Sequence, residues 1–368
     1  MVDLKNKGYI SPFAIHPGET VKEALEFTGM SQVDLATRIE LTEKTVSLIL
    51  NGLQPITPET ALKLERVLGL SQKLLLNMQA SYDADKFRLE EQARLKKETS
   101  SLSKFPCYAE LASLGFVQKA RDEIMRVEEL LKFFGVNSLS SIQTVFPVAF
   151  RRSHQEKISE ECLAAWLRMG TIQALKRDTA DFDKELLEKN IQKMRALTSE
   201  PVSVYSQALV QLCAEAGVAL TYTPHLKKTC VNGAAQWISP TKALVQVSLR
   251  YAYADIFWFT LFHELGHILK HSKKETFIEF EKRTHISEYE AEADLFAQRI
   301  LIPVGLEPSY QQLKKSLTPG NYAVAIQKFA ESAGIDVGIV AGRIGREMGI
   351  WRQVSRFRKK LEFKKNEQ

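Results

Sequence analysis

Apolar side chains recur three and four positions apart near the amino end, with polar residues between them. Leu35, Ala36 and Ile39 make one such face and Val46 and Ile49 another, which predicts helices over 31–39 and 42–52. Ser31 and Thr42 stand where hydroxyl caps belong, and the short gap between the two helices is helix-turn-helix spacing. A helix over 60–68 stopped by Gly69, and another over 71–82, complete a small all-helical bundle. Residues 83–104 are charge-rich, helical in pattern and closed by Ser100, Ser101, Leu102 and Ser103, so they read as a connector. From 107 to 197 the pattern stays helical, including 124–134 and 162–175, and predicts a packing or substrate-positioning module. After Pro201 comes an amphipathic helix to Ala216, then β-like runs at 218–223, 230–238 and 243–249 that predict a small sheet. Residues 256–262 are apolar on every side, as a helix buried deep in a domain would be. The expected fold is mainly α, of α+β type, in three segments: 1–83, 84–200 and 201–368.

A chain of 368 residues has room for two or three domains and a large core. Residues 1–10 lack an apolar signal core, and the apolar run before His263 is far too short for a bilayer, so a cytoplasmic protein with no membrane partner is expected. Cys107, Cys162, Cys213 and Cys230 show no paired spacing, which argues for buried thiols rather than a disulfide framework or a zinc ribbon. The net charge of +6 is mild, and residues 351–368 hold seven lysines and arginines against two glutamates, the pattern of a solvated end. Residues 1–80 carry eight basic side chains against nine acidic ones, so the helix-turn-helix has no basic excess of its own.

The chemistry concentrates in His263-Glu264-Leu265-Gly266-His267. Two imidazoles four residues apart on a helix point the same way and can grip one zinc ion, Zn2+, while Glu264 between them can move a proton between an attacking water and a leaving amine. A third ligand is needed, and the stretch 287–297 offers Glu288, Glu290 and Glu292. At about 100° per residue, Glu290 and Asp294 share an apolar face and Glu292 falls opposite, toward solvent. Glu290 is therefore the expected ligand and Glu288 the fallback, with Asp294 placed to orient His263 or His267. Ser287 and Glu290 also match a capping box. His271 extends the histidine row, but one ion would have to span about 12 Å of helix axis to reach it and His263 together, so a solvent-side or substrate-side role is expected. His271, His285 and Tyr289 are candidate oxyanion donors. Asn232, Gly233, Ala234 and Ala235 are the candidate strand for an extended peptide substrate.

Two resemblances follow from these residues. His16-Pro17-Gly18-Glu19, the 31–52 unit and Leu76-Asn77-Met78-Gln79 resemble the HigA-type antitoxins of the Xre-like repressor class, over residues 12–83. That resemblance implies a homodimer on operator DNA, with Gln32, Glu43, Lys44, Thr45 and Ser47 near the duplex. Glu40 departs from the pattern, because the turn it occupies usually carries glycine. Phe257 to His271, Glu290 to Ala297, and Ile302-Pro303 resemble the ImmA/IrrE metallo-endopeptidases, and residues 334–347 resemble that family's carboxyl-terminal helix. This second resemblance implies a zinc endopeptidase that inactivates an Xre-type repressor, with His263, His267 and Glu290 on the metal and Glu264 as acid/base. The expected function is cleavage of such a regulator, or of the chain itself. The rival is a DNA-binding antitoxin whose metal domain binds a toxin or an effector without proteolysis.

Overall fold

The computed structural model describes residues 12–147, 158–248, 253–273, 276–280 and 288–361, and divides into two compact units. One comprises residues 1–100 with 122–128, and the other 101–121 with 129–368.

In the first unit, local capping sets where the helices begin. Helices α1 (Gly18–Thr28), α2 (Gln32–Arg38), α3 (Glu43–Leu50) and α4 (Pro58–Leu68) precede a long α5 (Gln72–Glu98). The side chains of Ser31, Thr42 and Thr57 accept from the backbone N–H groups of Asp34, Thr45 and Thr60 at 3.1, 3.1 and 3.2 Å. Val21, Leu35, Ile39, Val46, Ile49, Leu64 and Leu75 close into one core. The α2–α3 turn is left-handed at Glu40, whose φ is 54°. Its amide bonds back to Thr37 and that of Leu41 to Ala36, so Glu40 fills a helix-ending place that glycine would occupy without a steric cost. Buried Gln79 ties α5 to the bundle by accepting from the Ile56 amide at 2.9 Å.

Of the connector expected at 83–104, residues 83–98 are the continuation of α5, supported by pairs such as Arg88–Asp85 and Arg94–Glu98 on one helix, and Thr99–Lys104 form a short 3-10 helix. The helix runs unbroken through the 83/84 boundary of the three-segment reading.

In the second unit, a four-stranded sheet is covered on both faces. Its strands are β1 (Val218–Thr223), β2 (Val231–Ser239), β3 (Lys242–Ser248) and β4 (Phe277–Phe280), in the order β1-β3-β2-β4. β1 runs parallel to β3, and β2 is antiparallel to both β3 and β4. Helices α6 (Tyr108–Ser113), α7 (Glu123–Phe134, of which residues 123–128 belong to the first unit) and α8 (Ile142–Val145) come before α9 (Glu160–Leu175), α10 (Lys184–Ala196) and α11 (Val202–Glu215). Along β3, Ala243, Val245 and Val247 join the main core, whereas Leu244 packs with Ala174 and Ala219 in a second cluster. Gln246, on that second face, donates to the Trp166 carbonyl of α9 at 2.7 Å. Helix α9, expected in a separate middle module, is thus part of the sheet's own packing.

The main core lies between the sheet and α12 (Ala254–Lys270), in which Trp258, Leu261, Phe262 and Leu265 are wholly buried. Helix α13 (Glu288–Leu301) lies alongside, followed by α14 (Glu307–Ser316), α15 (Tyr322–Ala333), α16 (Val337–Met348) and α17 (Trp351–Val354). β4 has no counterpart in the sequence reading.

In the described part of the basic tail, Arg352, Arg356, Lys359 and Lys360 are exposed as expected, and Arg358, half-buried, is the exception. Arg358 pairs with Asp255 in the first turn of α12 at 2.9 Å, Lys359 with Asp336 at 2.9 Å, and the Ala254 amide bonds to the Lys359 carbonyl at 3.1 Å. Among the described residues no helix is long and apolar enough to cross a membrane. Cys107, Cys162 and Cys213 are buried and Cys230 is half-buried, all as free thiols.

Candidate metal centre

The all-apolar first half of α12 drives the helix into the core, and the same burial carries His263, Glu264 and His267 inside, each at most 1% exposed. Helix α13 brings Glu290 against them from its first turn, itself 3% exposed. Nε2 of His263 and Nε2 of His267 lie 3.0 Å apart, and the Glu290 oxygens are 3.3 Å from the former and 3.6 Å from the latter. A tetrahedral zinc with ligand bonds of about 2.0–2.1 Å separates its ligand atoms by about 3.3 Å, so these three side chains fit such an ion. The chemistry of the set agrees: two imidazole nitrogens and a carboxylate converging in a dry interior are costly without a cation between them.

Surrounding groups hold this geometry. Asp294, one turn beyond Glu290, places Oδ1 2.9 Å from Nδ1 of His263. Phe259 stacks on the His263 ring at 6.1 Å, and Phe277 of β4 lies nearly parallel to His267 at 4.2 Å between centroids. A pocket is lined by Asp255, Phe259, Gln298, Ile302, Arg343 and Glu347, and none of the three candidate ligands lines it.

Glu264 sits directly beneath β2. A Cβ at Gly233 would stand 2.6 Å from Oε1 of Glu264 and 2.6 Å from Cγ2 of Thr260, so only glycine leaves room there. This overturns the expectation for Asn232, Gly233, Ala234 and Ala235 as a substrate strand. β2 is hydrogen-bonded to β3 on one side and β4 on the other, leaving no edge for a peptide. Among the described strands, β4 forms the sheet border nearest the histidines.

His271, the first residue past α12, points inward rather than toward solvent. Its Nδ1 lies 2.8 Å from Nδ1 of His267, its side chain is 2% exposed, and Tyr289 packs on its ring at 4.8 Å. Glu292, expected to be solvated, is 55% exposed yet lies 3.2 Å from Nε2 of His271. The four-residue spacing of the three histidines was the available signal, from which direct ligation, a solvent or substrate side and an oxyanion role were weighed, but not a contact with His267. Glu288 is exposed and outside the cluster, while His285 and the Ser287 half of the capping box lie outside the described residues.

In the first unit Gln32 opens α2, and Glu43, Lys44, Thr45 and Ser47 occupy the start of α3. Gln32, Glu43 and Lys44 are exposed, whereas the Thr45 hydroxyl is engaged with Thr42 at 2.9 Å and Ser47 is half-buried.

Comparison with known proteins divides along the same line. A helix-turn-helix family model matches residues 21–71, and one for the IrrE N-terminal-like domain, Peptidase_M78, matches residues 255–343. The amino-terminal region is 35% identical over 66 residues to the HTH-type transcriptional regulator YddM of Escherichia coli (strain K12), covering 18% of this chain and 70% of that protein. It is 38% identical over 71 residues to virulence-associated protein I of Dichelobacter nodosus, covering 19% of this chain and 66% of that one. Among solved structures, an addiction module antidote protein of a HigA family from Coxiella burnetii is 36% identical, over 23% of this chain and 95% of that chain, with a TM-score of 0.22. Pseudomonas aeruginosa antitoxin HigA with the higBA promoter is 26% identical, over 23% and 94% of the two chains, with a TM-score of 0.22. The chain therefore belongs to the helix-turn-helix regulators through its amino-terminal region and carries an IrrE-like Peptidase_M78 domain in its carboxyl-terminal one.

Proposed function

We propose that this protein is a zinc-dependent endopeptidase that cleaves a transcriptional regulator, an Xre-type repressor or the chain itself, and that its helix-turn-helix binds operator DNA. The observation that carries the reading is the convergence of His263, His267 and Glu290 at 3.0–3.6 Å, with Glu264 on the same helix. Zinc held there supplies Lewis acidity, acidifying a water and polarising the scissile carbonyl.

Glu264 takes the proton from the attacking water and delivers it to the leaving amine, so the carboxylate ends the cycle as it began. Its burial keeps bulk water from competing for that proton. An extended peptide adds alongside β4, the strand whose Phe277 rests on His267. The exposed side chains of Gln32, Glu43 and Lys44 face the duplex, in a homodimer working in the cytoplasm.

The helix-turn-helix match supports the DNA arm, and the resemblance of residues 12–83 to HigA-type antitoxins makes a toxin partner the second reading. Zinc-loaded full-length protein mixed with Xre-type repressors tests the peptidase directly. The native chain yields defined fragments and Glu264→Gln yields none; equal cleavage by both rejects the assignment of Glu264. Operator protection with no cleavage of any repressor or of the chain itself favours the antitoxin reading.

A further inference from the structure

The two histidines of the metal centre are supported in different ways. His263 has a carboxylate at its outer nitrogen, Asp294 at 2.9 Å. For His267 the outer partner is another imidazole, His271, at 2.8 Å between Nδ1 atoms, and Nε2 of His271 lies 3.2 Å from Oε2 of Glu292.

The proton positions in this chain follow from the metal end. A neutral imidazole that binds through Nε2 carries its proton on Nδ1. At 2.8 Å that proton is donated to Nδ1 of His271, which must then be bare. His271 therefore carries its own proton on Nε2, where the Glu292 carboxylate accepts it. Each member has one protonation pattern that satisfies the next.

The rings are also fixed in place. The His271 side chain is 2% exposed, with Phe277 at 5.2 Å and Tyr289 at 4.8 Å between ring centroids. His271 still belongs to the helical path, since its amide bonds to the His267 carbonyl at 3.1 Å. Glu292 stands two residues after Glu290 on α13, so the relay joins the two helices that supply the ligands.

We infer that His271, oriented by Glu292, is the positioning residue that sets the tautomer and ring orientation of His267 in the metal centre, as Asp294 does for His263. The inference rests on the reading of His263, His267 and Glu290 as a zinc centre.

Its test needs no cleavage assay. Zinc affinity of the full chain is measured by competition with a chromophoric chelator, alongside the visible absorption of the cobalt(II)-substituted protein. His271→Ala weakens zinc binding about 10- to 100-fold and alters the cobalt bands. His271→Asn recovers most of both, because its amide oxygen can stand where Nδ1 stood. Glu292→Ala, on an exposed helix face that leaves folding intact, gives a smaller loss in the same direction. Should His271→Ala fail to fold, the other two variants carry the test. Affinity and spectrum unchanged in the folded variants, with the native chain binding both metals, overturn the relay alone. A native chain that binds neither zinc nor cobalt overturns the metal-centre reading and the relay with it.

Discussion

Gly233 acts through the space it leaves. Its Cα faces the carboxylate of Glu264 across a gap too narrow for a methyl group. Gly233→Ala must therefore push the Glu264 side chain aside while leaving His263, His267 and Glu290 in place. Cleavage is expected to fall about 10- to 100-fold, as for a catalytic group displaced by roughly an ångström. Zinc content should match the native protein; loss of zinc together with activity would point instead to general disruption of α12.

His16 offers a second residue-scale test, in the first unit. Its Nδ1 accepts from the Gly18 amide at 2.9 Å and its ring meets Tyr82 edge-on at 4.8 Å. Burial lowers its pKa from the ordinary 6.5, with the Asp83 and Glu19 charges opposing that shift. The folded state thus prefers the neutral ring. Its stabilising contribution is full above the unfolded pKa and is lost as pH falls through the lowered folded value. The protection of the Gly18 amide against hydrogen exchange, taken relative to its intrinsic rate at each pH, should fall on acidification, and more so than in His16→Asn, which keeps an acceptor without a titrating ring. Identical pH responses would remove His16 as the cause.

The cluster of His263, His267 and Glu290, which could hold a metal ion, was legible because ligand spacing on a helix leaves a mark in the sequence. Glu290 could be chosen over Glu292 from helical angles alone. What Gly233 does was not legible, since its neighbour is Glu264 of another element, and no local pattern records a missing side chain.

Among the elements, α12 is the one on which the site depends, and its amino end is held by the tail. Arg358 pairs with Asp255 and packs over the Tyr253 ring at 4.3 Å. Burial raises the Asp255 pKa, with the Arg358 hydrogen bond and charge working against that rise. Arg358→Ala leaves the carboxylate buried without this partner and should cost about 3 kcal/mol of stability, measured by denaturant unfolding of the full chain. The loss should shrink as pH falls, because a protonated Asp255 no longer needs a cation. A deficit independent of pH would assign it to lost packing alone. Helices with a strong apolar face or a hydroxyl cap were readable in advance, as α2, α3 and α4 show. β4 was not, being four residues whose strand character comes from pairing with β2. The helical pattern of 83–104 was readable from its charge spacing, but not that residues 83–98 continue one helix begun at Gln72.

At the scale of the whole molecule, one chain joins a helix-turn-helix region with an IrrE-like domain. Two functional regions could be inferred from the sequence, since each carries its own compact signature. The place of the 107–197 helices could not. Their partners in the sheet are distant along the chain, so α9 and the buried face of β3 define each other only once folded. The account of both regions as a regulator-directed peptidase stands on the metal centre.

That centre is tested most directly by elemental analysis of the purified full-length protein after exhaustive dialysis. The native chain and Glu264→Gln should each retain about one zinc per chain, and His263→Ala and His267→Ala close to none. A native chain without zinc that takes up none when it is supplied, or histidine variants that hold as much as the native protein, would contradict it.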